Sequence, residues 1–453
     1  MTTYSLDRSV RRPSAGIVIG GSPLRLFRLT PAGADVFDRI TAGADVPTDG
    51  DGTPRTHQLL ERLVDAGVVH PHPDRSAAPY ELADVTVIVP ALVFGHAALA
   101  EIVRCCRGAA EVIAVDDGSD PPVAAADGAR VLRLRNNAGP AVARNAGLGA
   151  LSTPLVAFVD TDVRLEPGWI EPLLGHFADD RVALVAPRVA SAPGAGPVAR
   201  YEQGHSPLDL GPEGGRIAPG TRLSYVPAAA IVVRAEALRA IGGFDRSLRF
   251  GEDVDAVWRL VEAGWRCRYE PAVTVHHRPR GSWRGLVAQR VAYGSSAAAL
   301  ARKHPGALAP LRMNGWSAGV WALLGTGHPA LAAGVVAGTA AALVKKLPGV
   351  PVAESVRLTV TGHLYAGRLL ADAARRAWWP LLAAGSLVSR RTRRITALAV
   401  LPALASGGLP KLVDDIAYGF GVWKGVLTER EVGPLLPRFP SWPGADAARA
   451  SAG

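Results

Sequence analysis

Apolar positions along this chain fall into three rhythms. Between residues 83 and about 280, short unbroken runs of Val, Ile, Leu and Ala recur: VTVIVP (85–90), EVIAVDD (111–117), ARVLRL (129–134), PLVAFVD (154–160) and VALVAP (182–187). Runs that are apolar at every position suit strands buried on both faces, usually parallel ones. Helical patterns separate them, so the segment predicts a doubly wound α/β domain. A helix is expected over Ala141–Leu151. Another starts at Glu252, where Val254, Val257, Trp258 and Val261 recur at helical spacing. Tyr269–Val275 reads as a strand that delivers His276 and His277. No G-x-G-x-x-G follows the first run, which argues against a dinucleotide-binding unit.

Before this region, residues 1–78 read as a small separate module. GIVIGGSPLRLFRLT predicts two short strands around Gly20-Gly21-Ser22-Pro23. Thr30-Pro31 and Thr53-Pro54 each place an N-cap residue before proline at the first helical position, so two helices are expected. Gly67 can end the second, VVH returns as a strand, and His70–Pro79 is a linker.

After about residue 300 the pattern becomes apolar and rich in small residues. Apart from His328, no ionisable side chain lies between Arg312 and Lys345. WSAGVWALLGTGHPALAAGVVAGTAAALV is long enough to cross a bilayer, although Gly, Ala and Pro dilute it. WWPLLAAGSLV and ITALAVLPALASGG are short, and Lys345-Lys346, Arg375-Arg376 and Arg390-Arg391 flank these stretches. A helical, membrane-associated region over 301–453 is the expectation, with a soluble Ala-rich bundle as the alternative.

Composition adds limits. Abundant Ala, Gly, Pro and Arg reflect a coding bias, so single small residues carry little weight. A net charge of +10 fits anionic partners such as nucleotides, phosphorylated substrates or acidic lipid. No helix-turn-helix, zinc-finger or aromatic-plus-basic RNA signature is present, so nucleic acid is not expected as a partner. Three cysteines, Cys105, Cys106 and Cys267, suit neither a disulfide framework nor a metal knuckle. The N-terminal stretch lacks the apolar run of a signal peptide, so the soluble part is expected on the cytoplasmic side.

The candidate chemistry is acidic and sits at strand ends, where α/β sheets bind ligands. Asp116 and Asp117 close the second run; a carboxylate there can accept from a base or ribose, or simply shape an Asp-Gly turn. Asp160 and Asp162 close the fourth, and as i and i+2 they share a face and can approach one hard cation, Mn²⁺ or Mg²⁺. Arg144, on the small-residue helix between them, can meet a phosphate or stand on the surface. His276 and His277 can supply a further metal ligand or be structural. Glu252 and Asp253 open a helix, where acids also serve as caps.

In order, VTVIVPA, VDDGS, NAGPAVARNAGL, FVDTDV, GGFDRSLRFGEDVDAVWRL and VHH resemble the inverting family 2 glycosyltransferases with a GT-A fold. The resemblance covers about 200 residues. It implies that Asp117 contacts the nucleotide base and that Asp160 and Asp162 form a D-x-D motif on a metal–diphosphate, with one of the two histidines completing the metal site. It further implies that Asp253 is the catalytic base, with Glu252 positioning the acceptor; Asp245 and Asp255 are left to cap and solubilise. One departure matters: SWRGLVAQRVAYG holds Gln289 and Arg290 but not the Q-x-x-R-W of processive synthases, which puts long-chain extrusion in doubt.

The three-part layout, divided as 1–78, 83–300 and 301–453, is similar to the mycofactocin-system glycosyltransferases of actinobacteria, whose N-terminal module is PqqD-like and winged-helix-like. That resemblance implies glucose transfer from a UDP-sugar, UDP-glucose, to a peptide-derived redox-cofactor precursor in β-1,4 linkage, at the cell membrane with the catalytic domain facing the cytoplasm. Two alternatives stand beside it: transfer to a lipid or cell-wall acceptor, and a peptide-binding adaptor with a degenerate transferase domain. A nucleotidyltransferase would show a Gly-rich phosphate loop, which VIVPALVFGH is not.

Overall fold

The computed structural model describes residues 2–44, 46, 54–74, 78–93 and 95–439. The chain divides into two compact units, Met1–Gly281 and Ser282–Gly453. Trp283–Lys303, which the sequence groups with the central domain, belongs to the second unit as one helix.

The first unit opens with β1 (Thr3–Leu6), β2 (Arg11–Ser14), β3 (Ile17–Gly20) and β4 (Arg25–Arg28). Helices Pro31–Thr41 and Pro54–Asp65 follow, then β5 (Val69–His72). β2–β3–β4 form one small sheet and β1–β5 another. Local chemistry sets the helix ends as expected. Thr30 Oγ1 accepts from Gly33 N at 3.2 Å with Pro31 at the first turn. After the second helix Gly67 adopts φ +67°, and Val68 N returns to Leu63 O at 2.9 Å. Thr53, the other expected cap, lies outside the described residues, as do residues 75–77 of the linker. β1 and β2 had no sequence signal: TYSL and RRPS are too polar to read as strands.

The central sheet has nine strands: β6 (Val85–Ala91), β7 (Glu111–Asp116), β8 (Ala129–Arg133), β9 (Leu155–Val159), β10 (Val163–Arg164), β11 (Val182–Ser191), β12 (Gly215–Ile217), β13 (Ala230–Arg234) and β14 (Arg266–His277). Their order is β10-β14-β11-β13-β9-β6-β7-β8, with β12 on β14. β9, β6, β7 and β8 run parallel; β9, β6 and β7 are buried as their apolar runs predict, whereas β8, at the end of the strand order with Arg130 and Arg133 exposed, is only half-buried. The sheet is nonetheless mixed, because β13 is antiparallel to both β9 and β11. Helix Pro140–Ala150 packs so closely on β6 that a Cβ on Gly147 would meet Ile88 Cγ2 at 2.6 Å.

The second unit is helical. The long apolar run breaks at Gly327 (φ +86°) and Pro329 into Gly315–Gly325 and Pro329–Lys346. Arg390–Glu429 is one 40-residue helix kinked at Gly408 (φ +66°, ψ −155°). Its C-terminal half lies against Trp283–Lys303 at backbone contact distance: a Cβ on Gly294, Gly421 or Gly425 would overlap the facing main chain. These glycines do carry structural weight. Pro329–Lys346 and Arg390–Glu429 are both long and apolar enough to cross a membrane.

Candidate active site

The C-terminal ends of β7 and β9 carry the first two acid pairs, and the fold uses each acid differently. Asp116 is fully buried; its oxygens accept from Ser119 N (2.8 Å), Val123 N (3.2 Å) and Arg133 Nη1 (3.1 Å). Burial opposes its charge, but these donors hold the carboxyl below its ordinary range. Asp116 therefore shapes the turn. Asp117 accepts Ala138 N and Gly139 N, each at 2.8 Å, one per oxygen. It ties β7 to the turn that starts helix Pro140–Ala150. Gly118 sits at φ +73°, where a Cβ would strike the Asn136 main chain.

Arg144 projects from that helix into the interior, 3% exposed. Its Nη2 donates to Asp160 Oδ1 and its Nη1 to Glu252 Oε1, both at 2.7 Å. The guanidinium also lies over the Phe244 ring, 5.5 Å from its centroid. Burial works against its charge, and the carboxylates of Asp160, Glu252 and Asp253 more than compensate. Sequence spacing offered this residue to a phosphate. In the structure both terminal nitrogens are spent on carboxylates, because a guanidinium this buried requires countercharge. The neighbouring Asn145 bonds both ways to Phe244, Oδ1 accepting its N–H at 2.9 Å and Nδ2 donating to its carbonyl at 2.7 Å.

Glu252 and Asp253 open helix Glu252–Glu262 after Gly251, which takes φ +80°. Glu252 is buried. Burial and the adjacent Asp253 carboxylate push its carboxyl up to about 7, against the pull of Arg144. Asp253 is half-buried; its oxygens accept Val254 N at 2.8 Å and Ala228 N at 3.3 Å. β13 explains that second contact. Pairing Ala230 with Val159 puts Ala229 O on Asp160 N at 2.9 Å, so residues 228–229 sit between the ends of β9 and the helix. The run PAAAIVVR carries this strand, and its apolar block was the unread signal. Asp255, expected to solubilise, is instead fully buried and pairs with Arg259 at 2.7 Å; Asp245 caps its own turn through Ser247 N at 2.7 Å.

Asp162 Oδ2 meets His277 Nε2 at 2.9 Å, and Arg280 Nη2 stands 3.6 Å away. Burial opposes the Asp162 charge, while His277 and Arg280 hold the carboxyl below its ordinary range. The register of β10 on β14 sets Val163 opposite His277 and Arg164 opposite His276. Successive side chains alternate across a strand, so His276 points away from the face where His277 meets Asp162. The structure thus brings together Arg144, Asp160, Glu252 and Asp253, and separately Asp162 and His277. Asp160 feels both groups: burial raises its carboxyl, Asp162 and Asp253 raise it further, and Arg144 opposes. Arg280 and Phe244 are additions that spacing alone did not single out.

Among the described residues no three His, Cys, Asp or Glu side chains already converge as a metal cage. The chemistry of the donors still fits a divalent cation: Asp160 and Asp162 offer hard oxygens, His277 an imidazole nitrogen, and the one buried arginine, Arg144, bonds Asp160 and Glu252 only.

A mixed sheet with acids at its strand ends and an acidic helix opening beside them defines a group-transfer enzyme of the GT-A kind. The Glycosyl transferase family 2 model matches residues 86–242. The "Pre-mycofactocin glycosyltransferase" of Mycobacterium tuberculosis, in strains CDC 1551 / Oshkosh and ATCC 25618 / H37Rv, is 41% identical over 470 residues, 96% of this chain and 97% of that protein. The "Succinoglycan biosynthesis protein ExoU" of Rhizobium meliloti is 32% identical over 174 residues, 35% of this chain and 50% of its own length. The chain belongs to glycosyl transferase family 2, alongside the two full-length relatives, and is an enzyme of the hexosyltransferase class. Among solved structures, the mannosyltransferase PcManGT of Pyrobaculum calidifontis, in complex with GDP-Man and Mn²⁺, covers 79% of this chain and 89% of its own at 16% identity and a TM-score of 0.45. That likeness is too slight to bear on function.

Proposed function

We propose that this enzyme transfers glucose from UDP-glucose to a peptide-derived redox-cofactor precursor of the pre-mycofactocin kind, with inversion, building a β-1,4-linked oligosaccharide. The observation that carries the reading is the 41% identity over 96% of the chain to proteins of that printed name. The acidic site agrees with it. Asp253 acts as the base: a carboxylate lone pair takes the acceptor hydroxyl's proton as the hydroxyl oxygen bonds to the anomeric carbon and the bond from that carbon to UDP breaks. Its two backbone N–H contacts fix the carboxylate's aim and leave further lone pairs open.

Asp160, Asp162 and His277 would hold Mn²⁺ or Mg²⁺, which when bound supplies positive charge to the leaving diphosphate. His276 is the weaker candidate, given its face. Glu252, expected to position the acceptor, is buried on Arg144 and acts instead through it, fixing the guanidinium that in turn orients Asp160. Asp117 contacts the base of the donor with the lone pairs that Ala138 and Gly139 leave free. Residues 1–78 form a peptide-recognition module and 83–281 the transferase domain, and the helical unit from Ser282 onward, rather than from 301, associates with the membrane, the transferase facing the cytoplasm. The apolar surface supports the membrane association alone: Leu387 and Val388 are 83% and 87% exposed.

Incubation of the full-length enzyme with UDP-glucose and the cyclised peptide-derived precursor tests the reading. Mass spectrometry should show hexose additions to the precursor, and linkage analysis should show β-1,4 bonds. Transfer to a polyprenyl or lipid acceptor in its place would overturn the pathway and keep the class.

A further inference from the structure

Arg266 and Arg268 lie two residues apart on β14 and so share one face of the strand. Both are buried, and their surroundings differ. Arg266 is fully compensated: Nε meets Asp65 Oδ1 at 2.9 Å, Nη1 meets Asp179 Oδ2 at 2.7 Å, and Nη2 reaches Glu61. Arg268 is 4% exposed, its Nε is buried with no hydrogen-bond partner, and among the described residues no carboxylate forms an ion pair with it. Burial, followed by the charge of Arg266, depresses it to about 10. The Asp179 and Asp65 carboxylates oppose this but are already bonded to Arg266, and a buried guanidinium with no ion pair of its own is costly.

Arg268 borders a cavity of about 320 Å³ that His70, His72, His176, Tyr269 and Glu270 also line. His70 and His72 come from β5 of the N-terminal module, the others from the transferase domain. His70 bonds Asp7 through Nε2 at 3.0 Å, and its Nδ1 is buried without a partner. His72 bonds Ser5 Oγ at 2.7 Å. The one carboxylate in the wall, Glu270, is occupied by His176 Nε2 at 3.1 Å and Ala272 N at 3.1 Å. Pro71, Pro212 and Pro271 supply apolar wall between these groups. An unsatisfied guanidinium N–H, a cavity of small-ligand size and apolar flanks converge in one place. Arg268 and His277 pair with Val185 and Ser191, six residues apart on β11 and so roughly 20 Å at the usual rise, so this cavity is not the donor site.

We infer that the cavity is an oxyanion-binding site, taking a small ligand whose carboxylate or phosphate pairs with Arg268 and whose carbon frame lies against the prolines. The ligand bridges the N-terminal module and the transferase domain. The inference does not depend on the sugar or acceptor proposed above.

Calorimetric titration and thermal unfolding of the full-length protein test it, with inorganic phosphate and acetate as separate probes. At least one should bind saturably and raise the melting temperature. Phosphate alone would assign a phosphate ligand, and acetate alone a carboxylate. Arg268→Met should weaken that binding at least about tenfold, the weight of a charge-assisted hydrogen bond. The same variant without anion should melt above the wild type, since an apolar side chain replaces a buried charge that makes no ion pair of its own. Absence of binding by both probes, equal affinity in the variant, or a lower melting temperature for the variant would overturn the inference. Should that variant fail to fold, Ala272→Trp fills the cavity from its edge and keeps Arg268. Loss of anion binding there supports the site, and undiminished binding overturns it.

Discussion

Asp253 and Glu252 are adjacent in sequence and do opposite things. Asp253 is half-buried and held by two N–H groups, whereas Glu252 is buried on Arg144. Replacing Asp253 with Asn keeps the shape and removes the proton acceptor. Turnover should fall roughly 10²- to 10⁴-fold while the KM for donor changes little, which steady-state kinetics reads directly. Glu252→Gln should show itself in stability. A carboxyl raised in the folded state binds protons that the unfolded chain has lost, so it costs the wild type stability as pH rises from its ordinary value toward about 7. The stability of Glu252→Gln relative to wild type should therefore improve between pH 4.5 and pH 8 in urea unfolding. A constant difference would show that Glu252 titrates normally. The motif residues were legible one by one. Their partnerships were not, because Arg144 and Glu252 stand 108 positions apart and only the fold joins them.

At the scale of elements, the sequence spoke where the cause is local. Unbroken Val/Ile runs gave β6, β7 and β9, and Thr30-Pro31 marked its helix through one hydroxyl and one fixed φ. β13 escaped because its position depends on antiparallel pairing with strands far away in sequence. The 29-residue apolar run misled about length, since Gly327 and Pro329 interrupt a pattern that hydropathy averages over. Arg266 sets another test. It joins helix Pro54–Asp65 of the small module to Asp179 of the transferase domain while itself buried. Arg266→Ala leaves Asp179 without its ion pair and Glu61 and Asp65 with only the more exposed Arg181, and should cost about 3 kcal/mol in chemical unfolding. Asp179 and Glu61 are both held below their ordinary range, by Arg266 against burial, so this contribution is present above that range and fades as pH falls through it. A variant as stable as wild type at pH 7 would remove Arg266 from the account.

Across the whole molecule, one unit carries the acidic site and the other the apolar surface. Exposed leucines on Arg390–Glu429, Leu398, Leu401 and Leu409 among them, are what a lipid contact requires of a helix. Full-length enzyme should sediment with membranes, stay there through an alkaline wash and need detergent for release. Recovery in the soluble fraction without detergent would return residues 301–453 to the alternative of an Ala-rich bundle.

The most direct test of the central claim is UDP release from UDP-glucose by the full-length enzyme, measured with the peptide-derived acceptor, with and without a chelator, for wild type and Asp253→Asn. The account predicts release that needs the acceptor, disappears with the chelator, returns with Mn²⁺ or Mg²⁺ and is nearly abolished in the variant. Release that survives in Asp253→Asn, or that ignores the chelator, would contradict it.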